Sequence, residues 1–133
     1  MTCGNKKRIL FVMQSLYDGG AEKLLVDMLN NFDYSKYDID LLATMYGNDC
    51  IQRVKDGESF DLIILEDDMK PLSAFAVLGK LQEIKTDLQT PIVVMLKKDK
   101  ETIGKHYIED GFNNYLLEEN LDDEFDRIIK KYI

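Results

Sequence analysis

Short apolar runs alternate along the chain with longer stretches in which apolar residues recur every three or four positions. The short runs are typical of strands buried on both faces of a sheet, and the longer stretches are typical of helices with one apolar face. We label the predicted elements in chain order: β1 7–13, α1 21–32, β2 37–44, α2 49–55, β3 62–65, α3 71–84, β4 91–96, α4 101–110, β5 112–117 and α5 121–132. Strict alternation of strand and helix predicts a parallel sheet between two helix layers, in a single α/β domain.

Turn residues mark several of the element boundaries. We expect Asp56 and Gly57 to end α2, Pro71 to occupy the first position of α3, and Gly111 to follow the last turn of α4. The apolar positions expected to face the sheet are Leu24, Leu25, Met28 and Leu29 in α1, Ile51 and Val54 in α2, Leu72, Phe75, Leu78, Leu81 and Ile84 in α3, Ile103, Tyr107 and Ile108 in α4, and Phe125, Ile128 and Ile129 in α5.

The third strand ends in an acidic sequence. The apolar run Leu62 to Leu65 is followed directly by Glu66, Asp67 and Asp68. Ligand sites in open parallel sheets lie beyond the carboxyl ends of the strands. This acidic end of β3 is therefore the first place in the sequence to look for chemistry.

Size and charge restrict the classes of function. A chain of 133 residues with 45% hydrophobic content suits one domain with one core, spanning 1–133 with residues 1–6 frayed. The formal net charge of -8 opposes binding to nucleic acids and to anionic membranes, so we expect neither as a partner. No apolar stretch is long enough for a membrane span or resembles a signal peptide, which predicts a cytoplasmic protein.

Nucleophiles and metal ligands are sparse. Cys3 and Cys50 have no metal-ligand spacing, so we interpret both as reduced and structural. His106, the only histidine, has no ligand or base partner at a typical spacing, which favours a solvated helix residue. Ser15 and Ser73 lack a neighbouring histidine base. The sequence therefore predicts no catalytic residue, no cofactor and no enzyme activity.

From Gly47 to the end, the chain resembles the receiver domain of two-component response regulators, of the chemotaxis-protein type. The matching pieces are the short helix in CIQRVKDGESFDLIIL, the motif EDDMKPLSA, the strand TPIVVML and the sequence GFNNYL before the last helix. The resemblance implies a flavodoxin-like fold, a five-stranded parallel sheet of order 2-1-3-4-5, and a role in phosphorelay signalling.

The phosphorylation-site positions of that family are all changed here. An active receiver has an acidic pair that binds magnesium, where this chain has Met13 and Gln14, and an acceptor aspartate where it has Glu66. The family's threonine or serine is Leu96, which cannot hydrogen-bond a phosphoryl oxygen, and its lysine is Glu118, which would repel one. The resemblance thus implies a degenerate receiver, or pseudo-receiver, that works by protein-protein interaction without phosphorylation.

Two alternatives for the acidic end of β3 remain open. If Pro71 is used to align the motif, Asp67 becomes the phosphoacceptor of a genuine receiver, and magnesium would be its cofactor. Alternatively, Glu66 at the acceptor position mimics a permanently phosphorylated aspartate, although the threonine and lysine partners of such a mimic are missing. Mass measurement after treatment with acetyl phosphate and magnesium separates these readings.

The family's aromatic switch position is retained as Tyr115. The resemblance implies that Tyr115 borders the usual partner surface, formed by α4, β5 and α5, through which a protein partner or a second copy of the chain would bind. Lysines are expected beside this surface and carboxylates at its other end, at Lys97, Lys98, Lys100 and Lys105 and at Glu118 and Glu119. This charge pattern fits either a partner site or an ordinary solvated face.

The first quarter of the chain carries a second resemblance. The sequence SLYDGGAEK after β1 is similar to the start of retaining glycosyltransferases with two Rossmann-like domains. Such enzymes bind their nucleotide sugar in a second domain, which this chain is too short to contain. Gly19 and Gly20 could still bring backbone N–H groups close to an anion at the start of α1, or could simply relieve a tight turn. A further alternative is therefore an anion- or nucleotide-sugar-binding fragment related to these glycosyltransferases.

Overall fold

A computed structural model describes residues 7–13, 36–43, 48–66, 73–84, 89–96, 101–117 and 121–133. The strands in these ranges are β1 Lys7–Met13, β2 Tyr37–Ala43, β3 Leu62–Glu66, β4 Ile92–Leu96 and β5 Asn114–Leu117. The helices in them are α2 Asn48–Lys55, α3 Ala74–Ile84, α4 Glu101–Glu109 and α5 Leu121–Tyr132. The predicted α1 lies outside the described residues. No helix in the described ranges is both long enough and apolar enough to cross a bilayer.

The five strands form one parallel sheet in the order β2-β1-β3-β4-β5. The register places Val12 opposite Leu65, Glu66 opposite Met95, and Leu96 opposite Leu117. The flavodoxin-like topology predicted from the sequence is therefore confirmed. It also follows that β3, β4 and β5 end along the same edge of the sheet, which we call the carboxyl edge.

Alternate residues of the central strands serve two separate apolar clusters. Leu10 and Val12 belong to a cluster covered by α2, α3 and α4, whereas Ile9 and Phe11 belong to a second cluster covered by α5. All four side chains are at most 1% exposed. Because side chains alternate between the faces of a strand, burial on both faces produces the unbroken apolar runs seen in the sequence.

Two helices end with the same glycine-dependent geometry. In α2, the N–H of Gly57 donates to the carbonyl of Val54 at 3.1 Å, and Gly57 has a φ of 98°. In α4, the N–H of Gly111 donates to the carbonyl of Ile108 at 3.1 Å, and Gly111 has a φ of 121°. The residue after each glycine bonds five positions back, which completes a Schellman motif. Both predicted helix ends are confirmed.

The start of α3 differs from the prediction. Ser73 precedes the helix, and its side-chain Oγ accepts a hydrogen bond from the N–H of Ala76 at 3.3 Å, as an N-cap residue does. The helix therefore begins at Ala74, and the prediction that Pro71 is its first residue is wrong. Proline restricts the chain before a helix as well as inside its first turn, so Pro71 alone did not locate the boundary.

Several apolar helix positions are less buried than predicted. Phe75 and Ile84 in α3 are 38% and 37% exposed, and Ile103 and Ile108 in α4 are 41% and 43% exposed. The buried residues of α3 are Ala74, Val77, Leu78 and Leu81, which confirms the predicted positions Leu78 and Leu81. The spacing of apolar residues predicts that a helix has an apolar face. It locates the residues that face the sheet only to within about one position.

Candidate functional site

Glu66 ends β3 at the carboxyl edge, where its side chain is partly buried. Its neighbour in the register is Met95 on β4, and the next residue of that strand is Leu96. The register thus places Glu66 and Leu96, which the resemblance puts at the acceptor and threonine positions, on adjacent strands at one edge. The two side chains differ chemically, because Glu66 carries a carboxylate and Leu96 carries only hydrocarbon.

Leu96 is fully buried, with 0% of its surface exposed. Its side chain belongs to the apolar cluster beneath α2, α3 and α4, together with Leu65 and Val94. A leucine side chain there contributes to packing, and it offers no oxygen or N–H of its own to a ligand at the carboxyl edge. Position 96 therefore serves the core of the domain.

Most of the other predicted site positions lie outside the described residues. Met13 ends β1, opposite Ala43 of β2, and nothing is described of its side chain. Gln14, Glu118, the alternative acceptor Asp67, and the glycine pair Gly19 and Gly20 are not among the described residues. Their predicted roles stay predictions.

The described part of the carboxyl edge does not make up a magnesium site. Magnesium is a hard cation that prefers several oxygen ligands in octahedral geometry. Glu66 is the carboxylate that the described residues place at this edge, and the side chain of Leu96 at the adjacent strand end supplies no oxygen. The described ranges contain no group of three or more acidic, histidine or cysteine side chains arranged to hold a metal ion.

Tyr115 lies in β5 with its side chain partly buried against the same apolar cluster as Leu96. Its ring is close to the backbone of α4 at Gly104. A Cβ atom built on Gly104 would lie 2.8 Å from Cγ and Cδ1 of the ring and 2.9 Å from Cδ2. The ring therefore occupies space that a side chain at position 104 would need, a contact that the sequence pattern did not indicate.

Side chains of α5 bond to the backbone of β5. Arg127 Nη2 donates to the carbonyl of Tyr115 at 2.8 Å, and Glu124 Oε1 accepts from the N–H of Leu117 at 3.1 Å. The hydroxyl of Tyr132 donates to the carbonyl of Asn113 at 2.9 Å. The pattern of apolar and polar positions did not indicate these contacts. The i,i+3 spacing of Glu124 and Arg127, an ion pair at 2.9 Å, was the available signal.

The outer face of α4 mixes apolar and polar groups. Ile103 and Ile108 are more than one third exposed, and Lys105 is exposed. The side chain of His106 is 72% exposed, with its Nδ1 3.7 Å from Glu109 Oε2. The prediction that His106 is a solvated helix residue is confirmed.

The sheet also carries a charged cluster at its opposite end, which sequence reasoning missed. Arg53 donates two hydrogen bonds to Glu58, from Nε at 2.9 Å and from Nη2 at 2.8 Å, and Arg8 Nη2 donates to the same carboxylate at 3.2 Å. Hydrogen bonds from Arg53 and Arg8 lower the pKa of Glu58 from 4.5 to about 2. Both guanidinium groups also lie over the ring of Phe60, with Cζ 4.6 Å and 5.3 Å from its centroid.

The remaining nucleophile candidates have structural roles where they are described. Cys50 is fully buried and free of any disulfide, and desolvation raises the pKa of its thiol from 9.0 to about 12. A thiol held protonated by burial is a poor nucleophile, which agrees with the structural role predicted for it. Ser73 caps α3, while Cys3 and Ser15 lie outside the described residues.

The fold is that of known receiver domains. The receiver domain of the Francisella response regulator 1452 matches with a TM-score of 0.65 at 15% identity, over 95% of this chain and 98% of that chain. The receiver domain of the sensor histidine kinase PA1611 from Pseudomonas aeruginosa PAO1, a structure with magnesium in its active-site cleft, matches with a TM-score of 0.71 at 16% identity, over 96% and 97%. The signal receiver domain of an HD-domain-containing protein from Pseudomonas fluorescens Pf-5 matches with a TM-score of 0.69 at 16% identity, over 96% and 94%.

These likenesses confirm the predicted resemblance to receiver domains at the level of fold. They span nearly the whole chain, so a single receiver-like fold includes β1 and β2 as well as the later elements. No model of a known protein family matches the sequence. Because one fold supports many chemistries, function has to be argued from the residues at the carboxyl edge and on the surface.

Proposed function

We propose that this chain is a receiver-like interaction domain of two-component-type signal transduction, and that it binds a protein partner without phosphoryl control. The observation that carries the proposal is the complete burial of Leu96 at the end of β4. In an active receiver this strand end presents a hydroxyl to the phosphoryl group. Here the same position is filled by a core side chain.

The charges at the carboxyl edge support this proposal. Phosphoryl transfer depends on positioning and on neutralising the charge of the transferred group, which the metal ion and nearby donors provide. Glu66 adds negative charge at this edge, and the side chain of Leu96 provides no donor. In the register that aligns Glu66 with the acceptor, Glu118 replaces the cationic partner by another carboxylate, which would add repulsion. None of the side chains of Glu66, Leu96 and Glu118 would stabilise a doubly charged phosphoryl group.

The surface proposed for the partner is formed by α4, β5 and α5. Ile103 and Ile108 expose apolar area beside Lys105, a mixture that is common in protein interfaces. The partner is a protein, with a second copy of this chain as one candidate. We propose no catalytic activity, no nucleic-acid or membrane partner and a cytoplasmic location.

Intact-mass measurement tests the absence of phosphoryl control. The purified protein is incubated with acetyl phosphate and magnesium beside an active receiver domain as positive control, and both are weighed over time. We expect the control to gain one phosphoryl group and this protein to keep its mass. A gain that Asp67→Asn abolishes would assign the alternative acceptor, and a gain that Glu66→Gln abolishes would assign Glu66. Either gain contradicts the proposal.

A binding experiment tests the interaction half of the proposal. The intact domain and its Tyr115→Ala variant are used as baits, with Lys80→Ala on the exposed side of α3 as a control for a remote change. We expect a partner that the wild type and Lys80→Ala retain and Tyr115→Ala loses, with equal retention with and without acetyl phosphate. Retention by all three baits would place the interface elsewhere, and retention that depends on acetyl phosphate would contradict the proposal.

A further inference from the structure

Helix α4 carries a glycine in its middle, at position 104, which is buried. Glycine inside a helix is less favourable than alanine, so its presence there needs a reason. The Cβ of any other residue would meet three ring carbons of Tyr115 at 2.8 to 2.9 Å, closer than the 3.0 Å that real Cβ atoms essentially always exceed. The ring and a side chain at position 104 are therefore mutually exclusive in this arrangement.

Helix α3 provides the contrast. Gly79 also lies inside a helix, but a Cβ built on it would meet nothing within 4 Å. Gly79 is exposed, whereas Gly104 is buried. The close contact at Gly104 is thus a property of the packing between α4 and β5, and it is not shared by the helical glycine of α3.

Tyr115 is held from its other sides as well. The ring packs against the apolar cluster beneath α4, and the register pairs Tyr115 with the fully buried Val94. The N–H of Tyr115 donates to Asn114 Oδ1 at 2.8 Å, and its carbonyl accepts from Arg127 at 2.8 Å. Backbone and ring are therefore fixed by contacts with β5 itself, α5, the core and α4.

We infer that the Tyr115 ring, seated against Gly104, is a steric lock that keeps α4 and β5 in one arrangement and so holds the α4–β5–α5 surface preformed. The lock uses packing alone, and the buried Leu96 belongs to the same cluster that the ring packs against. The consequence for regulation rests on the function proposed above. The α4–β5–α5 surface is always available to a partner and is not switched by movement of Tyr115.

A double-mutant cycle tests the lock through stability. Gly104→Ala should lower the folding equilibrium constant by about 10-fold or more, because the new methyl group overpacks the space under the ring. In the Tyr115→Ala background the same change should raise that constant by about threefold, since the clash is gone and alanine favours helix. Gly79→Ala is the matched control and should raise it by about threefold in both backgrounds. Urea unfolding followed by circular dichroism gives all six values.

The decisive outcome is the change of sign. If Gly104→Ala has the same effect with and without the tyrosine ring, the lock does not exist. If Gly104→Ala does not fold at all while the double variant does, the coupling is confirmed in its extreme form, because removing the ring rescues the fold.

Ring spectroscopy on the wild type tests the lock without any variant at position 104. With carbon-13-labelled tyrosine, the ring signals of Tyr115 are assigned by their loss in Tyr115→Phe. We expect one ring environment, cross-peaks to the α protons of Gly104 and no microsecond-to-millisecond exchange. Two populated environments, or absence of those cross-peaks, would overturn the inference.

These readouts need neither a partner nor a phosphoryl donor. The lock can therefore fail while the proposed function stands, as when the ring exchanges between environments but acetyl phosphate leaves the mass unchanged. Conversely, a gain of mass with a single ring environment would defeat the proposed function and leave the lock intact.

Discussion

Charged side chains are paired with one another at the amino end of the sheet, whereas the carboxyl edge places a carboxylate beside an apolar side chain. At the amino end, Arg8 and Arg53 converge on Glu58 and cover Phe60, and the backbone N–H of Arg8 donates to Asp61 at 2.8 Å. At the carboxyl edge, Glu66 ends one strand, and the adjacent strand ends in a leucine that is fully buried.

This difference separates charge that supports the fold from charge that supports chemistry. A carboxylate with two guanidinium partners is neutralised within the protein and stabilises the structure around it. A site that accepts a phosphoryl group needs neutralising partners for a charge that arrives from outside. The described residues assemble such partners at the amino end, away from the edge where receiver-type chemistry would take place.

The largest effect is expected from restoring a hydroxyl at the carboxyl edge. Leu96→Thr should destabilise the domain by about 3 kcal/mol, because it removes buried carbon atoms and leaves a hydroxyl in an apolar cluster. Leu96→Met, which nearly conserves volume, is the matched control and should cost less than about 1.5 kcal/mol. Urea unfolding measures both. If threonine proved as well tolerated as methionine, position 96 would belong to a polar site and the contrast between the two ends would disappear.

A smaller, pH-dependent effect is expected at the amino end. The folded-state pKa of Glu58 is about 2, below its ordinary value of 4.5, so its ion pairs stabilise the folded state above pH 4.5, and this stabilisation is lost as the pH falls toward 2. Glu58→Gln should lower the melting temperature at neutral pH, and the difference from wild type should shrink through that range.

The exposed Glu83 on α3 provides the control for this prediction, since Glu83→Gln should change the melting temperature little at any pH. Melting temperatures measured from pH 7 down to pH 3 follow both variants. A Glu58→Gln difference that stays constant with pH would show that the arginine cluster does not act through the charge of Glu58.

The smallest effect is expected from neutralising the carboxylate at the other end. Glu66→Gln should change stability by no more than about 0.5 kcal/mol, because the side chain ends a strand where it is only partly buried. Urea unfolding at pH 7 gives the value. A large gain in stability would mean that Glu66 is held under repulsion, as it would be in a strained functional site.

Much of the fold was readable from the sequence because it depends on local signals. Unbroken apolar runs marked β3 and β4, and Gly57 and Gly111 marked helix ends that require positive φ. The start of α3 was misplaced because Pro71 is compatible with several positions near a helix start, whereas the capping bond of Ser73 fixes one.

The candidate site was less readable, since its contacts join residues far apart in the chain. The apolar nature of position 96 was visible in the sequence, but its complete burial follows from packing among several elements. Nothing in the pattern of α4 indicated that Gly104 accommodates the ring of Tyr115, because a glycine can serve many purposes in a helix. The contacts of Arg8 with Glu58 span 50 residues, and no short motif encodes them.

A magnesium titration tests the central claim most directly, because a divalent ion reports the carboxyl edge without any phosphoryl chemistry. The backbone amide signals of Glu66 and Leu96 are followed by nuclear magnetic resonance as magnesium chloride is added at constant ionic strength, with Glu66→Gln in parallel. We expect only small, non-saturating shifts that are equal in wild type and variant. Saturating shifts centred on Glu66 that vanish in Glu66→Gln would show a working cation site and contradict that claim.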